Sequence, residues 1–117
     1  MRDYVVTTLT YLASPYSHPE LDVRAERYWL ACKKAAELML QGEAVFAPIA
    51  HSHPISLHMP EGKAVDHELW LAQDIPILRR CDVLKVLLLP GWDQSQGVRE
   101  EIEVAVACRI PVEYIKP

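Results

Sequence analysis

The residues with the clearest chemical potential sit in the last third of the chain. The segment GVREEIEVA at 97–105 follows the loop PGWDQSQ at 90–96, and its apolar spacing is helical. Glu100 and Glu103 suit the early turns of such a helix, where acidic side chains complement the positive end of the dipole. Glu101 differs from them. Ala105 and Cys108 stand four and seven residues further on, which places Glu101 at the margin of the apolar face. From there a carboxylate points toward strand ends rather than open water, and its chemistry would be that of an ionised nucleophile. Tyr11, near the end of the first β-prone run, could orient that carboxylate or simply pack within a sheet. Asp74, close to Pro76, is either a helix cap or a second carboxylate facing the same crevice. Asp82 opens a strand, at the end away from any crevice, and reads as structural.

Other groups could bind rather than react. SPYSH at 14–18 offers Ser14, Tyr16, Ser17 and His18, although Ser17 with Glu20 also has the S-x-x-E form of a capping box. Four of the five histidines, His51, His53, His58 and His67, are close in sequence. If the backbone around HSHP is extended, His51 and His53 share one side, where they could serve a metal or a phosphate; solvated loop histidines are the plain alternative. No HExxH is present and no cysteine is near enough to complete a zinc site. Trp92 could stack on a base or cover the end of a sheet. Asp93, Ser95 and Gly97 complete the loop that enters the last helix.

These residues must be held by alternating strands and helices. Residues 7–13 are β-prone and end at Ser14-Pro15. Leu21, Ala25, Tyr28, Cys32, Ala35 and Met39 recur at helical steps, and Gly42 stops the helix. Residues 44–47 make a short strand closed by Pro48, and 49–63 read as the longest irregular stretch. A helix covers about 65–80, kinked near Asp74 or split into two by Pro76. DVLKVLLL at 82–89 is the strongest strand, apolar enough for burial on both faces. A loop at 90–96, a helix at 97–109 and a strand at 112–115 follow.

The alternation predicts an α/β fold, a single domain over 1–117. It is a shortened flavodoxin-like three-layer sandwich whose parallel four-stranded sheet runs in the order 2-1-3-4, with helices on both faces. Ligands in such sheets bind beyond the carboxyl ends of the strands where the order reverses, here between the first and third strands. That rule selects the loops at 14–18 and 90–97.

Composition narrows the class. The chain has 117 residues and four glycines, Gly42, Gly62, Gly91 and Gly97. Their spacing excludes both a dinucleotide-binding GxGxxG and a P-loop. Twelve basic against sixteen acidic residues give a formal charge of −4, and no basic run is longer than two, so a nucleic-acid polymer is not an expected partner. Three scattered cysteines in apolar runs suit reduced thiols in a cytoplasmic core. Residues 1–13 faintly mimic a secretory signal, but Asp3 and three threonines make a first strand the better reading, and no run is apolar enough for a membrane span.

Taken together, three segments resemble the nucleoside 2-deoxyribosyltransferases. TYLASP at 10–15 is similar to that family's strand motif (I/V)YLAGP, which carries an active-site tyrosine. DIPILRRCD at 74–82 resembles its D-x-x-x-I-x-x-(A/C)-D segment, with Ile77 one place early, and GVREEIEVA resembles G-T-x-x-E-x-G-x-A. The resemblance implies a nucleophilic Glu101, an orienting Tyr11, and Asp74 near the base or sugar. It further implies a homodimer or higher homo-oligomer in which a neighbouring chain adds to the site. The departures are Val98 for threonine, Glu103 for glycine, and Ser95 for the aspartate that meets the sugar's 5′ end. S-x-G-V-x-x-E at 95–101 is closer to the related 2′-deoxynucleoside 5′-monophosphate N-hydrolases. A serine beside a helix N-terminus can donate to a 5′-phosphate that an aspartate would repel. The inserted GWD and the HSHP segment also look like small bacterial members of undefined activity.

The expected function is cleavage or transfer at the N-glycosidic bond of a nucleoside or nucleoside 5′-monophosphate, in the cytoplasm. Glu101, Tyr11 and Asp74 would be catalytic. Ser14, Tyr16, Ser17, His18, His51, His53, Trp92, Asp93, Ser95 and Gly97 would bind substrate. No cofactor, metal or membrane is expected. A non-catalytic nucleotide-binding module of the same fold is the alternative, favoured by Val98 and Glu103, and a metal-dependent hydrolase built on His51 and His53 is a further one.

Overall fold

The computed structural model describes residues 8–60 and 62–117. Four parallel strands form one sheet in the order β2-β1-β3-β4: β1 (Leu9–Ala13), β2 (Ala44–Phe46), β3 (Val83–Leu87) and β4 (Val112–Ile115). This is the fold class expected from the alternation of strands and helices. Residue 7 of the first expected strand, and most of the signal-like segment, lie outside the described residues.

Strand alternation sorts the side chains into two cores. Tyr11, Ala13, Leu84 and Val86 pack on one face with Leu78, Val98 and Ala105 from helices α3 (His67–Leu78) and α4 (Gln96–Ala107). Leu12, Leu87 and Leu89 pack on the other with Ala35 and Leu38 of α1 (Leu21–Leu40). β1 and β3 are therefore covered on both faces, as their near-continuous apolar runs require. The lysine that interrupts β3 is accommodated by pairing: Lys85 Nζ donates to Glu43 Oε1 at 2.8 Å, and Thr10 Oγ1 donates to the same oxygen at 2.7 Å. Asp82, as its position suggested, is structural, accepting from the Leu9 N–H at 2.8 Å.

Three local expectations are corrected. The stretch after β2 is not irregular, because Pro48–Ser56 forms helix α2 with Pro48 in its first turn. Proline is preorganised there and loses no intrahelical bond, which outweighed the weak apolar periodicity of PIAHSHPIS. α1 begins at Leu21 without the Ser17 capping box; its N-cap is Glu20, which makes no side-chain cap bond. The Ser17 carbonyl instead accepts from Arg27 at 2.9 Å, and His18 Nδ1 takes the Glu20 N–H at 3.0 Å. α3 is one helix running through Pro76, capped by the Asp66 carboxylate accepting from the Leu69 N–H. Asp74 is thus a mid-helix residue and caps nothing. At its other end α1 stops as expected: Gly42, at φ 98°, and Glu43 return their N–H groups to Met39 and Leu38, closing a Schellman motif.

The cysteines are free, but only Cys81 is buried; Cys32 is half-buried and Cys108 is exposed. Among the described residues no helix is long and apolar enough to cross a membrane.

Candidate active site

The carboxyl ends of β1 and β3 open into a cleft of about 830 Å³. Its floor and walls come from the β1–α1 loop, α1, α2, α3 and the β3–α4 connection, which contains a 3₁₀ turn at Trp92–Gln94. This is the switch point between the first and third strands, where an open α/β sheet leaves a crevice.

Glu101 lies at the base of this cleft, buried, in the second turn of α4. Tyr11 reaches it from beneath: its hydroxyl, itself fully buried, donates to Glu101 Oε2. The pairing follows from parity, because Tyr11 points to the α4 face of β1, where Val98 and Ala105 bracket Glu101 on the buried side of the helix. Burial pushes the Glu101 carboxyl up to about 8; the Tyr11 bond opposes the rise, and Asp74 and Glu100 reinforce it. The expectation of a fully ionised Glu101 is therefore corrected. The side chain is buried rather than marginal, which favours its protonated form. Burial and the neighbouring carboxylates keep Tyr11 a phenol at all working pH values.

Asp74 borders the same cleft from α3, and its partial burial raises it to about 6. Two carboxyl groups thus border one cleft with ionisation ranges pushed apart. On the rim, His67 Nε2 and Glu100 Oε2 pair at 3.0 Å, joining the start of α3 to α4.

Most of the expected binding residues meet here. Ser14, Tyr16, Ser17, His18, His53, Ser95 and Gly97 all border the cleft. The Tyr16 hydroxyl lies 2.5 Å from His53 Nδ1, and the His53 ring stacks on Tyr28 at 4.2 Å. Burial raises Tyr16 and keeps it a phenol. Ser95 caps α4, its Oγ accepting from the Val98 N–H at 3.2 Å, which leaves the hydroxyl proton free to donate outward. The Ser14 hydroxyl is buried and has no hydrogen-bond partner.

His51, Trp92 and Asp93 do not border the cleft. In helical α2, residues two apart point in different directions, so His51 turns to the Phe46 ring, 5.8 Å away, and does not share a side with His53. Trp92 packs beside the sheet against Tyr114, with ring centroids 5.5 Å apart. Asp93 is exposed. Among the described residues no group of three or more histidine, cysteine or acidic side chains is placed to hold a metal ion.

Sequence reasoning missed Arg24 and Arg27, which border the cleft from α1. A signal existed. Both fall in the first two turns of a helix, where the dipole disfavours cations, so their presence called for another reason.

A family model described as a domain of unknown function, DUF1937, matches residues 8–116. Among solved structures, a 2-deoxyribosyltransferase from Bacillus psychrosaccharolyticus is similar at a TM-score of 0.66 and 20% identity, over 93% of this chain and 72% of that one. At that identity the likeness speaks for the fold alone. No curated protein matches the sequence.

Proposed function

The chain belongs to the DUF1937 family, and from its cleft we propose that it cleaves or transfers at the N-glycosidic bond of a nucleoside or nucleoside 5′-monophosphate. The observation that carries this reading is the buried Glu101 held by the Tyr11 hydroxyl beneath a cleft that Asp74 also borders. A fold shared with a 2-deoxyribosyltransferase is consistent with it.

Glu101 would attack the anomeric carbon from the face opposite the base. The C1′–N bond breaks, its electron pair leaves with the base, and Asp74 supplies the proton that neutralises it. A glycosyl ester remains on Glu101. Water then hydrolyses it, or a second base accepts the sugar, with Asp74 taking up a proton from either. The productive form has Glu101 ionised and Asp74 protonated. Between pH 6 and 8 the two carboxyls together hold about one proton, resting mainly on Glu101 in the free protein. Tyr11 favours its release from Glu101 by donating to the carboxylate.

The test is a panel of ribo- and deoxyribonucleosides and their 5′-monophosphates, with free base detected by chromatography. Glu101→Ala should abolish base release while the circular dichroism spectrum is preserved; undiminished release refutes the assignment. A binding-only module is the second reading, favoured by the burial that keeps Glu101 protonated at neutral pH. Calorimetric binding of a nucleotide with no base released from any member of the panel would select it.

A further inference from the structure

The α1 wall of the cleft carries two arginines that have no acidic partner among the described residues. Arg24 and Arg27 are three residues apart on one face of the helix, and both border the cleft. The ion pairs among the described residues are Lys34–Glu37, His67–Glu100 and Lys85–Glu43, none of which involves either arginine. The cleft's own carboxylates, Asp74 and Glu101, respond to burial, Tyr11, Glu100 and, for Glu101, Asp74, and to neither arginine. The cleft is therefore acidic at its α3–α4 wall and cationic at its α1 wall.

Both guanidiniums are held in place by main-chain carbonyls. Arg24 Nη1 donates to the carbonyls of His18 and Pro19. Arg27 Nη1 donates to the Ser17 carbonyl at 2.9 Å and Arg27 Nη2 to the Pro90 carbonyl at 3.2 Å. Arg27 thus joins the two loops that meet at the switch point. Gly91 makes room for it, because a Cβ at that position would stand 2.8 Å from Arg27 Nη2. Carbonyls fix the orientation of these groups but carry no net charge to offset theirs. Each guanidinium has five N–H donors, more than these bonds use. Half-buried, preoriented and without an ion pair among the described residues, two such forks match a tetrahedral dianion.

We propose that Arg24 and Arg27 form an anion subsite that holds a phosphate monoester of the substrate at the α1 end of the cleft. This rests on the glycosidic reading for the identity of the rest of the ligand, and it moves the phosphate's principal partners from Ser95 to α1. Ser95 and the first turn of α4 border the same space and can add neutral donors.

Calorimetric titration of the whole chain with a nucleoside, its 5′-monophosphate and inorganic phosphate, at low and at 0.3 M salt, tests it. The monophosphate should bind about tenfold or more tightly than the nucleoside, with an advantage that shrinks in salt. Arg24→Gln should remove most of that advantage, and Arg27→Gln should remove it together with part of the nucleoside affinity, because it also frees the loops at Ser17 and Pro90. Arg24→Lys should retain part of it. Because Arg27 also braces two loops, Arg24→Gln decides the matter if Arg27→Gln fails to fold. Equal binding of nucleoside and monophosphate by the unaltered protein, or an undiminished advantage in Arg24→Gln, overturns the subsite. Binding is read without turnover. A phosphate advantage with no base released sustains the subsite while removing the glycosidic reading, and base release with no phosphate advantage does the reverse.

Discussion

Glu101→Gln should stabilise the protein, and do so more strongly as the pH rises. The buried carboxyl takes up a proton near pH 8, against 4.5 for the free side chain. A group whose folded value is raised contributes stability that is fully present below its unfolded value and is lost as the pH climbs through the folded one. The window here runs from about 4.5 to about 8. At about 1.4 kcal/mol per pH unit the full shift amounts to about 5 kcal/mol. Water in the adjoining cleft can relax around the ionised group, so about 2–3 kcal/mol is the expected effect at pH 9. Glutamine cannot ionise, and its amide oxygen can still accept from Tyr11. Thermal unfolding by calorimetry at half-unit steps from pH 5 to 9 should show similar transitions for the two proteins at pH 5. By pH 9 the variant should lead by about 8–15 °C. Titrating groups away from the cleft affect both proteins alike, so the difference reports Glu101 together with its coupling to Asp74 and Glu100. Two curves that run parallel across the whole range would refute the claim that this carboxylate is ionised at the expense of the fold.

Tyr11→Phe deletes the hydroxyl that donates to Glu101 and should raise that carboxyl by about 1 unit, as expected for one charge-assisted bond. Because the productive form has Glu101 ionised and Asp74 protonated, the upper limb of the pH–rate profile for base release should move up by about 1 unit and the plateau fall about tenfold; an unmoved upper limb argues against Tyr11 as an orienting group. Asp74, raised to about 6, should set the lower inflection of the same profile, and it is the group that protonates the departing base. Asp74→Asn should therefore lower release of poorly departing bases by about 10²–10⁴-fold, and much less for a leaving group that needs no proton, which a comparison of natural nucleosides with nitrophenyl glycosides would show. Gly91→Ala places a side chain at φ 92° and against Arg27, so a loss of about 1–3 kcal/mol in urea unfolding and a weakened phosphate advantage are expected together.

The architecture was legible because each strand carries its own signal. DVLKVLLL could only be a doubly covered strand, and the helices between strands left 2-1-3-4 as the economical order. The Tyr11–Glu101 meeting was also within reach, since one parity rule and one helical spacing place the two side chains on facing surfaces. What the sequence hid was geometry that depends on several segments at once. α2 lacks an apolar stripe, so only the position of Pro48 announced it, and with it went the idea of two imidazoles side by side. Trp92 left base stacking and sheet packing equally open, and only Tyr114 of β4, distant in sequence, provides the packing partner. The degree of burial of Glu101 depends on β1, α3 and α4 together. Spacing within one helix could place the carboxylate toward the core but could not say how completely the rest of the chain would close over it.

The Schellman stop at Gly42 has a consequence for how this chain can change over time. Helix α1 joins both ends of the sheet: Ala35 and Leu38 seat its later turns on the core, while Arg24 and Arg27 occupy the cleft at its beginning. Each residue of a helix advances the rotation by about 100°. A single inserted or deleted residue between Arg27 and Ala31, the first fully buried residue of the helix, would leave the packed turns in register and swing both arginines around the helix, away from the loops they brace. The stretch between those positions is accordingly a metered spacer. Substitutions on its outer face should be readily tolerated, whereas any change in its length should be fatal to the cleft while sparing the core.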